Sequence, residues 1–165
     1  MLSKIKSSII PLTVVATLFI SSSQVLAVDD FKQSTPPGQM RSCQVREAAI
    51  KTRMTHLTEL VTKMIAKFDT HAQKVENFYT NNILPTGKKV SNYDSLVADI
   101  SAKRATALAV LNKAQTDVNG FSCSNGHPKA DMTQFRQDMQ SVKQALKDER
   151  TSIKNLIVAV RGESK

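Results

Sequence analysis

The chain has 165 residues and carries 23 Lys and Arg against 14 Asp and Glu, a formal net charge of +9. Tryptophan is absent, aromatics make up 5 %, and there are only two cysteines. This excludes a disulfide-dense miniature scaffold, allows one domain, and points any partner toward negative charge: lipid headgroups, envelope polymers, nucleic acid or acidic proteins.

The N-terminus has the three-part layout of a secretory signal peptide. Lys4 and Lys6 make a positive start, an apolar run covers Ile9 to Ile20, and Val25 and Ala27 are the small residues before a cut. The apolar run is shorter than the roughly 20 residues that span a bilayer, so cleavage after Ala27 is expected rather than anchoring. Residues 1–27 are the signal. Removing them, with two lysines and no acids, leaves 138 residues, 21 of them basic and 14 acidic, a formal +7. The product is expected to be exported, to the periplasm or the exterior. Residues 28–40, with Pro36-Pro37-Gly38, read as a flexible leader.

Three helical passes follow, at about 41–82, 92–119 and 128–161. The first carries two interleaved seven-residue series: Cys43, Ile50, Leu57, Met64, His71, Phe78, and Met54, Val61, Phe68, Val75. Leu60, Ile65, Ala72 and Tyr79 widen that face, as a bundle helix with two neighbours requires. Pro85 and Gly87 end it, and Ser91 or Asn92 can cap the next helix. The second pass places Tyr93, Val97, Ile100, Arg104, Ala107, Leu111, Ala114, Val118 and Phe121 on one face. The third opens at Pro128, a residue suited to a first helical turn. Its stripe is Met132, Phe135, Met139, Val142, Leu146, Glu149, Ile153, Leu156 and Val160. The fold class predicted is all-α: an elongated antiparallel three-helix bundle, coiled-coil-like, with one disulfide.

Two charges interrupt these apolar stripes. In an antiparallel pair, residues at equal height have a constant sum of numbers. Phe121 with Met132 and Arg104 with Glu149 give the same sum, so Arg104 and Glu149 are predicted to form an ion pair in the seam that fixes helix register. The alternative is that both side chains snorkel to solvent.

Cys43 and Cys123 fall at the same end of such a bundle, and in an exported chain they read as a disulfide. A metal reading of Cys123 and His127 lacks ligands, because His56, His71 and His127 share no two-histidine helical motif. His71 reads as a half-buried histidine, and Met54, Met64, Met132 and Met139 read as core. The PTGKK stretch, Pro85 to Lys89, lacks the upstream glycine and following hydroxyl of a phosphate loop. No nucleophile has a partner base and the carboxylates are scattered, so no enzyme activity and no cofactor are expected.

The surface feature that stands out is basic. Arg136, Lys143, Lys147, Arg150, Lys154 and Arg161 fall within an arc of roughly 60° on the third helix, at 100° per residue. Without interleaved aromatics this ribbon does not suit single-stranded nucleic acid. It suits an anionic polymer, a membrane surface or an acidic protein, unless acids such as Asp69 and Glu76 on a neighbouring helix neutralise it. The edges of the apolar stripes leave room for a homodimer. The architecture is also similar to that of small periplasmic helical-hairpin chaperones. Their repeated Leu-Thr-x-x-Gln signature is absent, and Met132-Thr-Gln-Phe135 is its nearest echo. An exported helical interaction module with a basic face is the first functional expectation, and a periplasmic chaperone or stress protein the second.

Overall fold

The computed structural model describes residues 37–164, all within one compact unit; the expected signal peptide and the first nine residues of the expected leader lie outside them. Helix α1 spans Pro37–Phe78, α2 spans Tyr93–Gly120 and α3 spans Pro128–Glu163, with no strand among the described residues. At 1.5 Å per residue, the 42 residues of α1 make a rod of about 63 Å. The three helices run antiparallel in sequence order. The most extensive packing is between α2 and α3, and α1 lies across both more sparsely.

Helix α1 begins four residues before the expected start, so Pro37–Met40 of the expected leader is helical. Proline at a first helical position has no amide hydrogen to leave unsatisfied and a φ already suited to the helix. At its other end α1 runs into a wide π turn, Tyr79–Ile83, and a 3₁₀ turn, Leu84–Thr86. Gly87 then takes a left-handed φ of 80° and its N–H donates to the Leu84 carbonyl at 3.0 Å, a conformation that costs a residue with a Cβ.

This corner is tied by tyrosines. The Tyr79 hydroxyl accepts a hydrogen bond from the Val90 N–H at 3.3 Å, and the Tyr79 and Tyr93 rings stack with centroids 3.9 Å apart. Asn92 is the N-cap residue of α2, but neither it nor Ser91 caps with its side chain. Asp94 in the first turn faces the positive helix end instead.

The opposite corner joins α2 to α3. Phe121 leaves α2 in an extended conformation, is 1 % exposed, and its N–H bonds to the Asp117 carbonyl at 2.9 Å. Gly126 turns the chain with a φ of 85°, and Asn125 Oδ1 accepts from the His127 N–H at 2.9 Å. Pro128 then opens α3.

The core falls into two clusters. Near the Cys end, Met54, Val61, Ile65, Leu111, Phe121, Phe135 and Val142 pack together. Near the other end, Ala72, Tyr79, Ile83, Ile100, Ile153, Leu156 and Val160 do so. Ala107 and Ala114 are fully buried, which lets α2 approach its neighbours closely.

On α1 the core is not the predicted one throughout. Leu57, Met64, His71 and Phe78, all in one heptad series, are exposed, and so is Leu60. The buried positions Met54, Ile65, and Val61, Ala72, Ile83 recur at eleven residues. Thr58, Ile65, Ala72 and Tyr79 are buried as a seven-residue series as well. The Leu57, Met64, Phe78 series lies at the edge of that buried line and is 44, 42 and 45 % exposed along its length. Met64 is exposed, Met132 and Met139 are half-buried, and of the four methionines expected in the core only Met54 is fully so.

Candidate interaction groove on the α1–α3 seam

The cysteines are joined. Cys43 on the second turn of α1 and Cys123 in the α2–α3 corner form a disulfide with Cα atoms 5.6 Å apart, inside the normal range for this bond. The corner has a second tie. The Cys123 N–H donates to Glu47 Oε2 at 3.2 Å, and Glu47 Oε1 lies 3.4 Å from Lys51 Nζ. A thiol committed to a disulfide is no metal ligand. His56 and His71 are exposed, which corrects the half-buried reading of His71, and His127 is the N-cap of α3. Among the described residues no three His, Cys, Asp or Glu side chains group as a metal site.

Arg104 and Glu149 meet in the seam. Arg104 Nε is 3.8 Å from Glu149 Oε1, and Glu149 is fully buried. A third member, not anticipated, is Asp69 on α1, whose carboxylate pairs with the Arg104 guanidinium. Asp69 lies between Ile65 and Ala72, Arg104 between Ile100 and Ala107, and Glu149 between Leu146 and Ile153. The triad is thus one charged layer, contributed by all three helices, between the two apolar clusters. Burial pushes the Glu149 carboxyl upward, Arg104 opposes this in part, and Asp69 adds to it. Neither oxygen of Glu149 has a hydrogen-bond partner among the described residues. Such a layer adds little net stability, because the cost of burying the Glu149 carboxyl offsets its attraction to Arg104. One turn further, the Ser152 hydroxyl donates to the Asp99 carboxylate across the α2–α3 seam.

All six ribbon residues on α3 are exposed: Arg136, Lys143, Lys147, Arg150, Lys154 and Arg161. None forms an ion pair among the described residues. Asp69, expected as a neutralising partner, is taken by Arg104, and Glu76 reaches no ribbon cation. Lys88 of the PTGKK loop lies at the far end, where its Nζ donates to the Glu163 carbonyl at 3.0 Å.

The ribbon borders a groove that the sequence did not single out. Two hollows along the α1–α3 seam share Phe68 and Arg150 and so run into one another. Their apolar lining comes from Met64 and Phe68 on α1 and from Met139, Leu146, Ile153 and Ile157 on α3. A third hollow lies on the same seam at the Cys end, between Ile50 and Met132. The charged residues lining the three are Lys129, Arg136, Lys143, Lys147, Arg150 and Lys154, without a single Asp or Glu. The signal for the groove was present in the sequence as the wide α1 stripe. What the stripe could not say was which part of it faces a neighbour.

The chain matches no protein-family model, no curated protein and no solved structure. No helix among the described residues is long and apolar enough to cross a membrane.

Proposed function

We propose that this protein is an exported, disulfide-stapled helical interaction module that holds an anionic partner on the basic flank of α3. The observation that carries the reading is the ribbon itself: six exposed cations on one face, none ion-paired among the described residues. Unpaired cations along a rigid rod make a positive field that draws anionic partners and falls off over about 10 Å at 0.1 M salt. Export rests on the layout of residues 1–27, and a disulfide that closes a long loop accords with an oxidising compartment.

The test is retention on an anionic matrix as salt is raised. The wild-type protein binds at low salt and elutes as salt screens the ribbon. A variant with Lys143→Glu, Lys147→Glu and Arg150→Glu stays folded by circular dichroism and flows through. Equal elution of the two proteins at low salt rejects the reading.

A second reading, a chaperone for unfolded exported chains, takes support from the exposed apolar flank of α1: Leu57, Leu60, Met64 and Phe78. Suppression of aggregation of an unrelated client separates it from the first, because a chaperone acts on clients irrespective of their charge.

A further inference from the structure

We infer that the α1–α3 groove is the seat of a fourth helix, an acidic amphipathic helix of a partner polypeptide. This rests on the anionic-partner reading above and specifies the partner's shape and apolar face.

Three features converge. The first is an apolar floor left uncovered. Met64 and Ile157 face each other's helices along the seam, yet are 42 % and 41 % exposed. Leu60 and Leu57, one and two helical turns from Met64 toward the Cys end on the same side of α1, are each 44 % exposed. Two parallel neighbouring helices, α1 and α3, with an open apolar seam lack one neighbour of a four-helix bundle, and a helix is the shape that fills that seam.

The second is periodicity. On the α3 bank the partly exposed Met139 and the buried Leu146 and Ile153 at the base of the hollows recur every seven residues. The cations at Arg136, Lys143, Arg150 and Lys147, Lys154, Arg161 recur every seven as well, immediately outside the floor. A heptad floor flanked by like charges is the arrangement by which one helix selects another through flanking ion pairs. Between Arg136 and Ile157 the groove is about 32 Å long at 1.5 Å per residue, enough for about three heptads of partner.

The third is the sign of the rim. The lining charges are all positive, and the acids of α1 nearest the seam are engaged elsewhere, Glu47 with the Cys123 amide and Asp69 with Arg104. A second copy docked on the same face would set cations against cations, which opposes a homodimer through this groove. A polysaccharide or nucleic acid would pair with the rim but leave the floor in water. An acidic helix satisfies both.

The experiment uses the full mature chain and a synthetic peptide of about three to four heptads, with Leu at the two core positions and Glu at the flanking positions. Alone at neutral pH the peptide is unfolded, because short helices are marginal and its glutamates repel. Fluorescence anisotropy reports binding and circular dichroism reports helix gained on mixing. The expected result is binding with a gain of helicity. The Kd rises by about tenfold or more in Met64→Glu or Ile157→Glu, and also in the Lys143→Glu, Lys147→Glu, Arg150→Glu variant. A scrambled peptide of equal composition stays unfolded. Both floor positions are exposed, so the single variants keep the wild-type melting transition, which is checked alongside.

Three other results overturn the inference. If ribbon reversal abolishes binding and the floor variants bind like wild type, the groove is not the seat and only the anionic-partner reading stands. If the peptide fails at low salt while vesicles rich in anionic phospholipid are bound in a salt-sensitive way, the partner is a membrane surface. If neither peptide nor vesicle is retained and the anionic matrix is also ignored, both readings fall together.

Discussion

Arg104 Nε lies 3.8 Å from Glu149 Oε1, at the height where the apolar cluster near the disulfide gives way to the one near the tyrosine corner. Glu149 is the most deeply buried charged residue among those described, and its carboxyl is shifted upward chiefly by burial. The two residues make opposite demands on the core. Arg104 is partly exposed and has Asp69 as a second partner, whereas Glu149 has no other cation among the described residues.

The consequence is asymmetric mutational cost. Arg104→Ala leaves Glu149 buried without its cation and is expected to cost about 2 kcal/mol, below the usual range for fully buried pairs because the arginine is partly exposed. Glu149→Gln keeps the shape, removes the buried charge, and is expected to be neutral or stabilising at pH 8. In a double-mutant cycle read by urea unfolding, the two sites couple by about 1 kcal/mol or more. Additive effects would mean the pair is not an interaction.

The α2–α3 corner predicts a pH dependence. Burial first, then the neighbouring Asp138 and Asp131 carboxyls, push Asp117 up to about 6. The folded state therefore holds this proton more tightly than the unfolded chain, whose Asp titrates near about 3.9. The stability it contributes is fully present below about pH 4 and is lost as pH rises through about 6. Asp117→Asn is accordingly expected to stabilise the protein at pH 7 to 8 by about 1 kcal/mol, after allowance for solvent screening. The gain closes as pH falls from 6 toward 4. Thermal melts of both proteins across that window check it, and a gap independent of pH would show that Asp117 does not titrate there.

Joining Cys43 to Cys123 closes a loop across 80 positions. On the chain-entropy model such a loop is worth about 4 to 5 kcal/mol, a large share of the total for a domain of this size. Cys43→Ser with Cys123→Ala is expected to lower the urea midpoint by the corresponding amount while leaving helix content near that of the wild type in water. Intact mass after alkylation without reductant is expected to show no modified thiol. Two alkylated cysteines in the oxidised protein would contradict the staple.

At the other corner, Tyr79 and Val90 are both buried, and the hydroxyl of one accepts from the amide of the other. Tyr79→Phe leaves the Val90 amide without that partner and is expected to cost about 1 to 2 kcal/mol. Hydrogen exchange at Val90 is expected to accelerate ahead of amides in the middle of α3. Unchanged exchange at Val90 would assign the tyrosine a packing role only.

Much of this was written in the chain. The 3-and-4 spacing of apolar residues marks three helices, Pro85, Gly87 and Pro128 punctuate them, and the cysteines fall where an antiparallel bundle brings its first turn beside its second corner. Register between α2 and α3 was legible as well, because two lone charges at matching heights, Arg104 and Glu149, name each other. Asp69 escaped that arithmetic. It lies on α1, whose overlap with both neighbours gives it no short corner from which to count.

What the tertiary structure alone decided was which part of a wide apolar face is covered. Hydrophobic periodicity reports the face a helix turns away from its polar side, and on α1 that face is broad enough for two neighbours. The buried line of α1 runs through Met54, Val61, Ile65, Ala72 and Tyr79 and leaves Leu57, Met64 and Phe78 exposed at its edge. Of these, Met64 lines a hollow together with the ribbon residues Lys143, Lys147 and Arg150. Charge by itself identified a basic strip, and only the packing of the helices set an uncovered apolar floor beside it.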